Sequence, residues 1–146
     1  MRLLLFALVL LVLPGGLRAQ TTPVWQTSIV DARHIADRCG RPILILFSGT
    51  GWDQASDAFL KDFTHAPGFP LLASHVVLLR IDMPSAPPTL TTDTQIQNNN
   101  TAVILRIDTV PTLVLCDSML TSKYKASVTG LAGADVVTRL TGIIPR

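Results

Sequence analysis

Ile43 to Phe59 reads ILILFSGTGWDQASDAF, and the fold turns on how this stretch is read. Five large apolar residues follow Pro42 and stop at the turn Ser48-Gly49-Thr50-Gly51. That is the pattern of a strand buried on both faces, as in a central parallel sheet. From Gln54 the period changes to that of a helix, with Ala55, Ala58, Phe59 and Phe63 on one face and Asp57, Lys61 and Asp62 facing water. A strand that feeds a helix through a tight turn aims Trp52, Asp53 and Ser56 at one place, where the first free N–H groups of the helix gather. In an α/β sheet that is where a site sits.

Outward from this stretch, the chain of 146 residues is 48% apolar and 15% charged, the composition of one globular domain rather than a disordered segment. Its start is different in kind. Arg2 precedes the apolar run Leu3 to Leu13, then Pro14-Gly15-Gly16 breaks it and Leu17-Arg18-Ala19 offers a cleavage site. Residues 1–19 read as a secretory signal peptide and 20–146 as one domain. Eleven apolar residues rise only about 16 Å as a helix, half the thickness of a bilayer core, which argues against a permanent span. An uncleaved N-terminal anchor is the alternative, and the only contact with a membrane that the sequence offers.

Removal of Arg2 and Arg18 lowers the basic count from 12 to 10, equal to the 10 acids. A near-neutral chain without a Lys/Arg stripe is not built for nucleic acid. All the acids are Asp, which excludes motifs that need Glu, such as the zinc-protease and EF-hand patterns.

Ser28 is a candidate cap for a first helix with the stripe Ile29, Ala32, Ile35 and Ala36, stopped by Gly40, and Trp25 is expected to cover its start. The second helix ends near His65 because Pro67-Gly68-Phe69-Pro70 cannot continue it. A short helical turn at 71–73 leads to a second buried strand within 75–82, and the two strands form a right-handed parallel crossover. The Pro/Thr-rich stretch 83–94 reads as a surface loop, and such loops are often functional. A helix follows from Gln95 or Asn98 to Arg106, with caps from the Asn98-Asn99-Asn100 run and contacts from Ala102, Val103 and Leu105. Two strands, 112–116 and 125–129, are joined through Asp117-Ser118-Met119-Leu120 and expected antiparallel. A final helix spans 134–144, with Val136, Val137, Leu140 and Ile143 at helical spacing.

This order of elements is the thioredoxin arrangement. The sequence resembles secreted bacterial thioredoxin-like proteins of the disulfide-reductase and isomerase type over nearly the whole of 20–146. The family pattern of a Trp, a Lys/Arg-Pro, a buried strand and Phe-Ser/Thr-Gly-Ser/Thr-x-Trp-Cys-x-x-Cys is matched by Trp25, Arg41-Pro42 and Phe47 to Ser56, except for the sulfurs. Val77 to Asp82, Gln97-Asn98 and Val110-Pro111-Thr112 agree as well. The resemblance implies an α/β thioredoxin fold, a mixed sheet of four to five strands flanked by helices. It also implies a cis bond before Pro111, with that proline facing the active-site turn.

Where the family carries Cys-x-x-Cys, this chain reads Asp53-Gln54-Ala55-Ser56. Exchange chemistry needs one thiolate to attack and a second thiol to resolve. A carboxylate forms no reversible bond to sulfur, and an unassisted hydroxyl stays protonated near neutral pH. The buried carboxylate that many thioredoxins carry in the preceding strand falls at Leu46, so it is missing too. No catalytic residue is expected at the site.

Asp53 is read first as the N-cap of the second helix. The alternative is a carboxylate presented to a partner or a metal, but Asp53 and Asp57 without a nearby His make a weak metal site. No metal and no cofactor is expected. Ser56 would need a base to act as a nucleophile, and none can be paired with it from sequence. Cys39 and Cys116, the two cysteines, fall at the end of the sheet opposite the turn. They form either a structural disulfide, or Cys116 is a small apolar core residue. Trp52, Thr109, Val110 and Pro111 are the candidate peptide-binding residues, lining a shallow groove for an extended peptide beside the proline.

The functional expectation is a secreted or periplasmic module without dithiol chemistry, whose partner is an unfolded or extended polypeptide or an envelope protein. Two alternatives stand beside it: a divergent thiol-disulfide oxidoreductase using Cys39 or Cys116, and a structural subunit of an envelope complex.

Overall fold

The computed structural model describes residues 22–85 and 92–144. The signal peptide read at 1–19 lies outside these residues, as does the 86–91 part of the loop.

The elements are α1 (Ile29–Cys39), β1 (Ile43–Ser48), α2 (Gln54–His65), α3 (Phe69–Ser74), β2 (Val77–Asp82), α4 (Asp93–Ile104), β3 (Thr112–Cys116), β4 (Ser122–Ser127) and α5 (Gly133–Ile143). The sheet order is β2-β1-β3-β4, with β1 parallel to β2 and the pairs β1/β3 and β3/β4 antiparallel. Gln26 adds a single parallel bridge to Leu79, so the leader before α1 covers the β2 edge.

All six residues of β1 are buried, as the apolar run requires. Its side chains alternate between two cores. Leu44 and Leu46 join Phe59, Phe63, Phe69 and Leu140 on the side of α2, α3 and α5. Ile43, Ile45 and Phe47 join Ile29, Ala32, Ala36 and Ala102 on the side of α1 and α4. Each such side chain contributes about 1.5–3 kcal/mol by leaving water, which makes β1 the most expensive strand to disturb.

The helix ends follow local chemistry. The Ser28 hydroxyl accepts the Asp31 N–H at 3.3 Å, and Gly40 closes α1 with a left-handed φ of 65°. At the start of α5 the Asp62 carboxylate accepts the Gly133 N–H, joining α2 to α5. A methyl group on Gly133 would lie 2.6 Å from the Phe63 backbone, so only glycine allows the two helices this approach. In the β3–β4 turn the Asp117 carboxylate accepts the N–H groups of Met119 and Thr121, each at 2.9 Å, and the Thr121 bond leads the causes that lower its pKa.

Several expectations are corrected. The cap of α4 is Thr92, which forms a reciprocal capping box with Gln95, so the helix starts before the Asn run. Asn98 instead accepts the Ile29 N–H and donates to the Thr27 carbonyl, holding the start of α1. Val103, expected as a contact, is exposed, because Thr101, Ala102 and Leu105 occupy the inner side. Trp25 packs on the other core, stacked on Phe69 with ring centres 6.4 Å apart, rather than over α1. On α2 the buried stripe is Ser56, Phe59 and Phe63, while Ala58 is exposed. The strand expected at 125–129 is β4 at Ser122–Ser127, an edge strand whose exposed Ser and Lys side chains hide the alternation. In α5, Ile143 is exposed and Ile144 closes the core.

Candidate functional site

The turn between β1 and α2 is held by three carboxylates. Asp82, at the end of β2, accepts the Thr50 N–H at 2.7 Å and the Ser48 hydroxyl at 3.5 Å. Asp57, one turn into α2, accepts the Gly51 N–H. Asp53 caps the helix, accepting the Ser56 N–H at 2.9 Å and the Ser56 hydroxyl at 2.6 Å on the same oxygen. The Ser56 oxygen in turn accepts the Gly49 N–H at 2.9 Å. The two positions at which the resemblance places sulfur are therefore tied by a charge-assisted hydrogen bond. Ser56 is buried, with its hydroxyl held between the Asp53 carboxylate and the Gly49 N–H.

Trp52 is half exposed and its ring lies against Gly49, where a methyl group would come within 2.5 Å of the indole. Its N–H donates to the Met83 carbonyl at 2.8 Å, which fixes the ring at the mouth of the turn. The Val110–Pro111 bond is cis, the form that the resemblance implies. Phe47 pairs with Thr112 in the last rung of the β1/β3 ladder, so Pro111, one residue earlier, lies near the end of β1 where the turn begins. The segment Thr109-Val110-Pro111 thus borders the turn. Pro111 is buried, Val110 half-buried and Thr109 exposed. Among the described residues no hydrogen bond occupies the N–H or C=O of Val110. Behind it, the Lys125 ammonium donates to the Leu105 and Arg106 carbonyls, each at 3.2 Å, and holds the chain leading into Thr109.

Beside the turn, a cavity of about 600 Å³ runs between α2 and the loop before α5. Gln54, Ala55, Ala58, Phe59 and Asp62 form one wall, and Gly130, Leu131 and Ala132 the other. Gln54 and Ala55 thus face this groove, but Asp62, Asp82 and Leu131 are not legible in the sequence as site residues, and Asp57 is legible only as a weak metal ligand beside Asp53. The one trace of Asp82 is its place at the end of the matched Val77 to Asp82 segment.

The cysteines lie elsewhere. Cys116 pairs with Ile43, at the opposite end of β1 from the turn. It is fully buried beneath α1, and burial first, then the neighbouring Asp117 charge, push its pKa up to about 12. Cys39 is exposed on the last turn of α1, its thiol 3.9 Å from the Ala36 carbonyl. A Cys39–Cys116 disulfide is not formed: both are free, one on the inner side of α1 and the other on its outer side. Among the described residues no group of three or more His, Cys, Asp or Glu side chains is placed to hold a metal ion.

No family model and no curated protein matches the sequence. Solved structures do match. A DsbH oxidoreductase is 16% identical, with 84% of this chain and 85% of that chain covered at a TM-score of 0.72. A thioredoxin from Thermus thermophilus is 13% identical, with 83% and 87% covered at 0.61. Chloroplastic thioredoxin z is also 13% identical, with 82% and 95% covered at 0.51. At such identities the likeness speaks for architecture alone. Together with the strand order, the helices on both faces and the cis proline near the first turn, it makes this a chain with the thioredoxin fold.

Proposed function

We propose that this protein works outside the cytoplasm, after loss of residues 1–19, as a binding module for extended or unfolded polypeptide that performs no dithiol exchange. The observation that carries the reading is the bond between Asp53 and Ser56, which fills both sulfur positions with oxygen and leaves neither thiol at the site. An extended chain needs backbone partners and side-chain pockets. Among the described residues Val110 has an unengaged N–H and C=O beside cis-Pro111, and the half-exposed Trp52 ring and the cavity along α2 offer apolar contact.

The cysteine-based alternative gains nothing from the geometry. Cys116 is buried and its thiol stays protonated near neutral pH, and Cys39 lies at the far end of α1. The protein is expected to leave the rate of insulin reduction by dithiothreitol unchanged, and to bind a reduced, carboxymethylated polypeptide with an affinity that falls at least threefold in Trp52→Ala. Catalysed insulin reduction, or no binding of the unfolded chain, would overturn the reading.

A further inference from the structure

The two edges of the sheet differ. Along β2 the leader takes the outer row: the Gln26 N–H donates to the Leu78 carbonyl at 2.8 Å, and the Gln26 carbonyl accepts the Arg80 N–H at 2.9 Å. Along β4 no strand takes that place among the described residues. Which groups of β4 face outward follows from the ladder, because opposed residues in an antiparallel pair alternate between exchanging hydrogen bonds and turning away. The Val128 N–H donates to the Pro111 carbonyl at 3.0 Å, one step beyond the Thr112–Ser127 pair. Ala126 and Tyr124 therefore bond to β3, while Lys125 and Ser127 turn their N–H and C=O away from the sheet. The other side of β3 gives the same parity. The Pro42 and Ser48 carbonyls of the β1 segment accept the Val77 and Met83 N–H groups, so Ile45 is left to bond Val114, and Leu113 and Leu115 to bond β4. Among the described residues no hydrogen bond occupies the outward groups of Lys125 and Ser127.

Two lysines stand on this bare edge. The exposed Lys125 gives its ammonium to two neutral carbonyls, those of Leu105 and Arg106, which leaves one donor and meets no carboxylate. Lys123 is the extra residue of the bulge opposite Leu115 and Cys116, and Asp117 offsets part of its charge. An open edge is a template for another strand, and the side chains on it decide which strand. A second copy of β4 is a poor choice. In a two-fold pairing centred on Lys125 that lysine meets its own counterpart, and in one centred on Tyr124 it meets Lys123, so like charges stand opposite each other.

We infer that β4 takes as an added strand an extended segment of a partner polypeptide that carries Asp or Glu opposite Lys125. This surface is separate from the groove beside α2 and does not depend on it. Main-chain bonds to Lys125 and Ser127 supply the affinity, and the lysines supply the choice of side chain. The same charges that turn away a second copy draw in a carboxylate.

Three fluorescein-labelled peptides of one alternating Thr/Val sequence, with Glu, Gln or Lys at the same two alternate positions, test this against the full protein. In fluorescence anisotropy at about 0.02 M salt the Glu peptide is expected to bind about fivefold tighter than the Gln peptide, with the Lys peptide weakest. Amide hydrogen exchange locates the contact: saturation with the Glu peptide should slow the Lys125 and Ser127 amides by at least about tenfold. Ser127→Pro removes an outward donor and no bond of the β3–β4 ladder, and should weaken the Glu peptide by at least about tenfold. The exchange measurement on the unaltered protein stands even where that variant fails to fold. Equal binding of the Glu and Gln peptides, or binding of none of the three, overturns the inference. Protection at Val110 with none at Lys125 and Ser127 also overturns it, by assigning the peptide to the cis-proline site, and leaves the function proposed above intact.

Discussion

At Asp53 one carboxylate oxygen serves two donors, and its loss has two separable consequences. Asp53→Ala removes the cap of α2 and leaves the buried Ser56 hydroxyl without its acceptor, which together should cost about 2–3 kcal/mol. Asp53→Asn keeps an acceptor and should cost about 1 kcal/mol or less. Urea unfolding of the two variants reads the difference, and an Ala variant no weaker than the Asn variant would contradict the assigned geometry. Cys116 carries a second prediction. In the folded chain its thiol keeps its proton up to about pH 12, whereas an unfolded thiol with the ordinary value of 9.0 loses it earlier. Above pH 9 the unfolded state therefore binds fewer protons than the folded one, and stability falls as pH rises. Cys116→Val should flatten that decline in melting temperatures measured between neutral pH and about pH 10.5. Iodoacetamide should label Cys39 in the native protein and Cys116 only after unfolding.

At the scale of elements, the contact between α2 and α5 depends on one missing side chain. Gly133→Ala forces its methyl group toward the Phe63 backbone, and since backbone cannot swing aside like a flexible side chain, about 1–3 kcal/mol should be lost. The chemical-denaturation midpoint checks this, and Gly142→Ala, at an open position of the same helix, serves as a control with little effect or a slight gain. The elements also show where sequence reading succeeds. The run 43–47 and the cap at Asp53 are local signals, and both are seen at the positions read. Asn98 holding α1 from 71 residues away is not local, so its sequence context pointed only to capping its own helix. The strand β4 was misplaced by about three residues because an edge strand buries too little of one face to print an alternation. Asp82, which helps to hold the turn, is out of reach of local reading in the same way as Asn98: it meets Thr50 across 32 residues, and only the parallel register of β1 and β2 brings them together.

For the whole molecule, stability rests on two cores sharing one sheet, with no covalent tie between distant parts of the described chain. Both thiols are free, so the unfolding midpoint should be the same with and without reductant. A midpoint that drops on reduction would mean that a bridge exists. The architecture was legible as a whole because the order of elements and the matched segments agree over most of the chain. The groove was less so, since its walls come from α2 and the loop before α5, which are far apart in sequence.

The Asp53–Ser56 contact carries one more implication. A pair of sulfurs at these positions alternates between two covalent states, and each change needs an electron donor or acceptor. An oxygen pair has no such alternatives. The mouth of the groove therefore keeps one resting shape at every ambient potential, ready for a visitor whether its surroundings are reducing or oxidising.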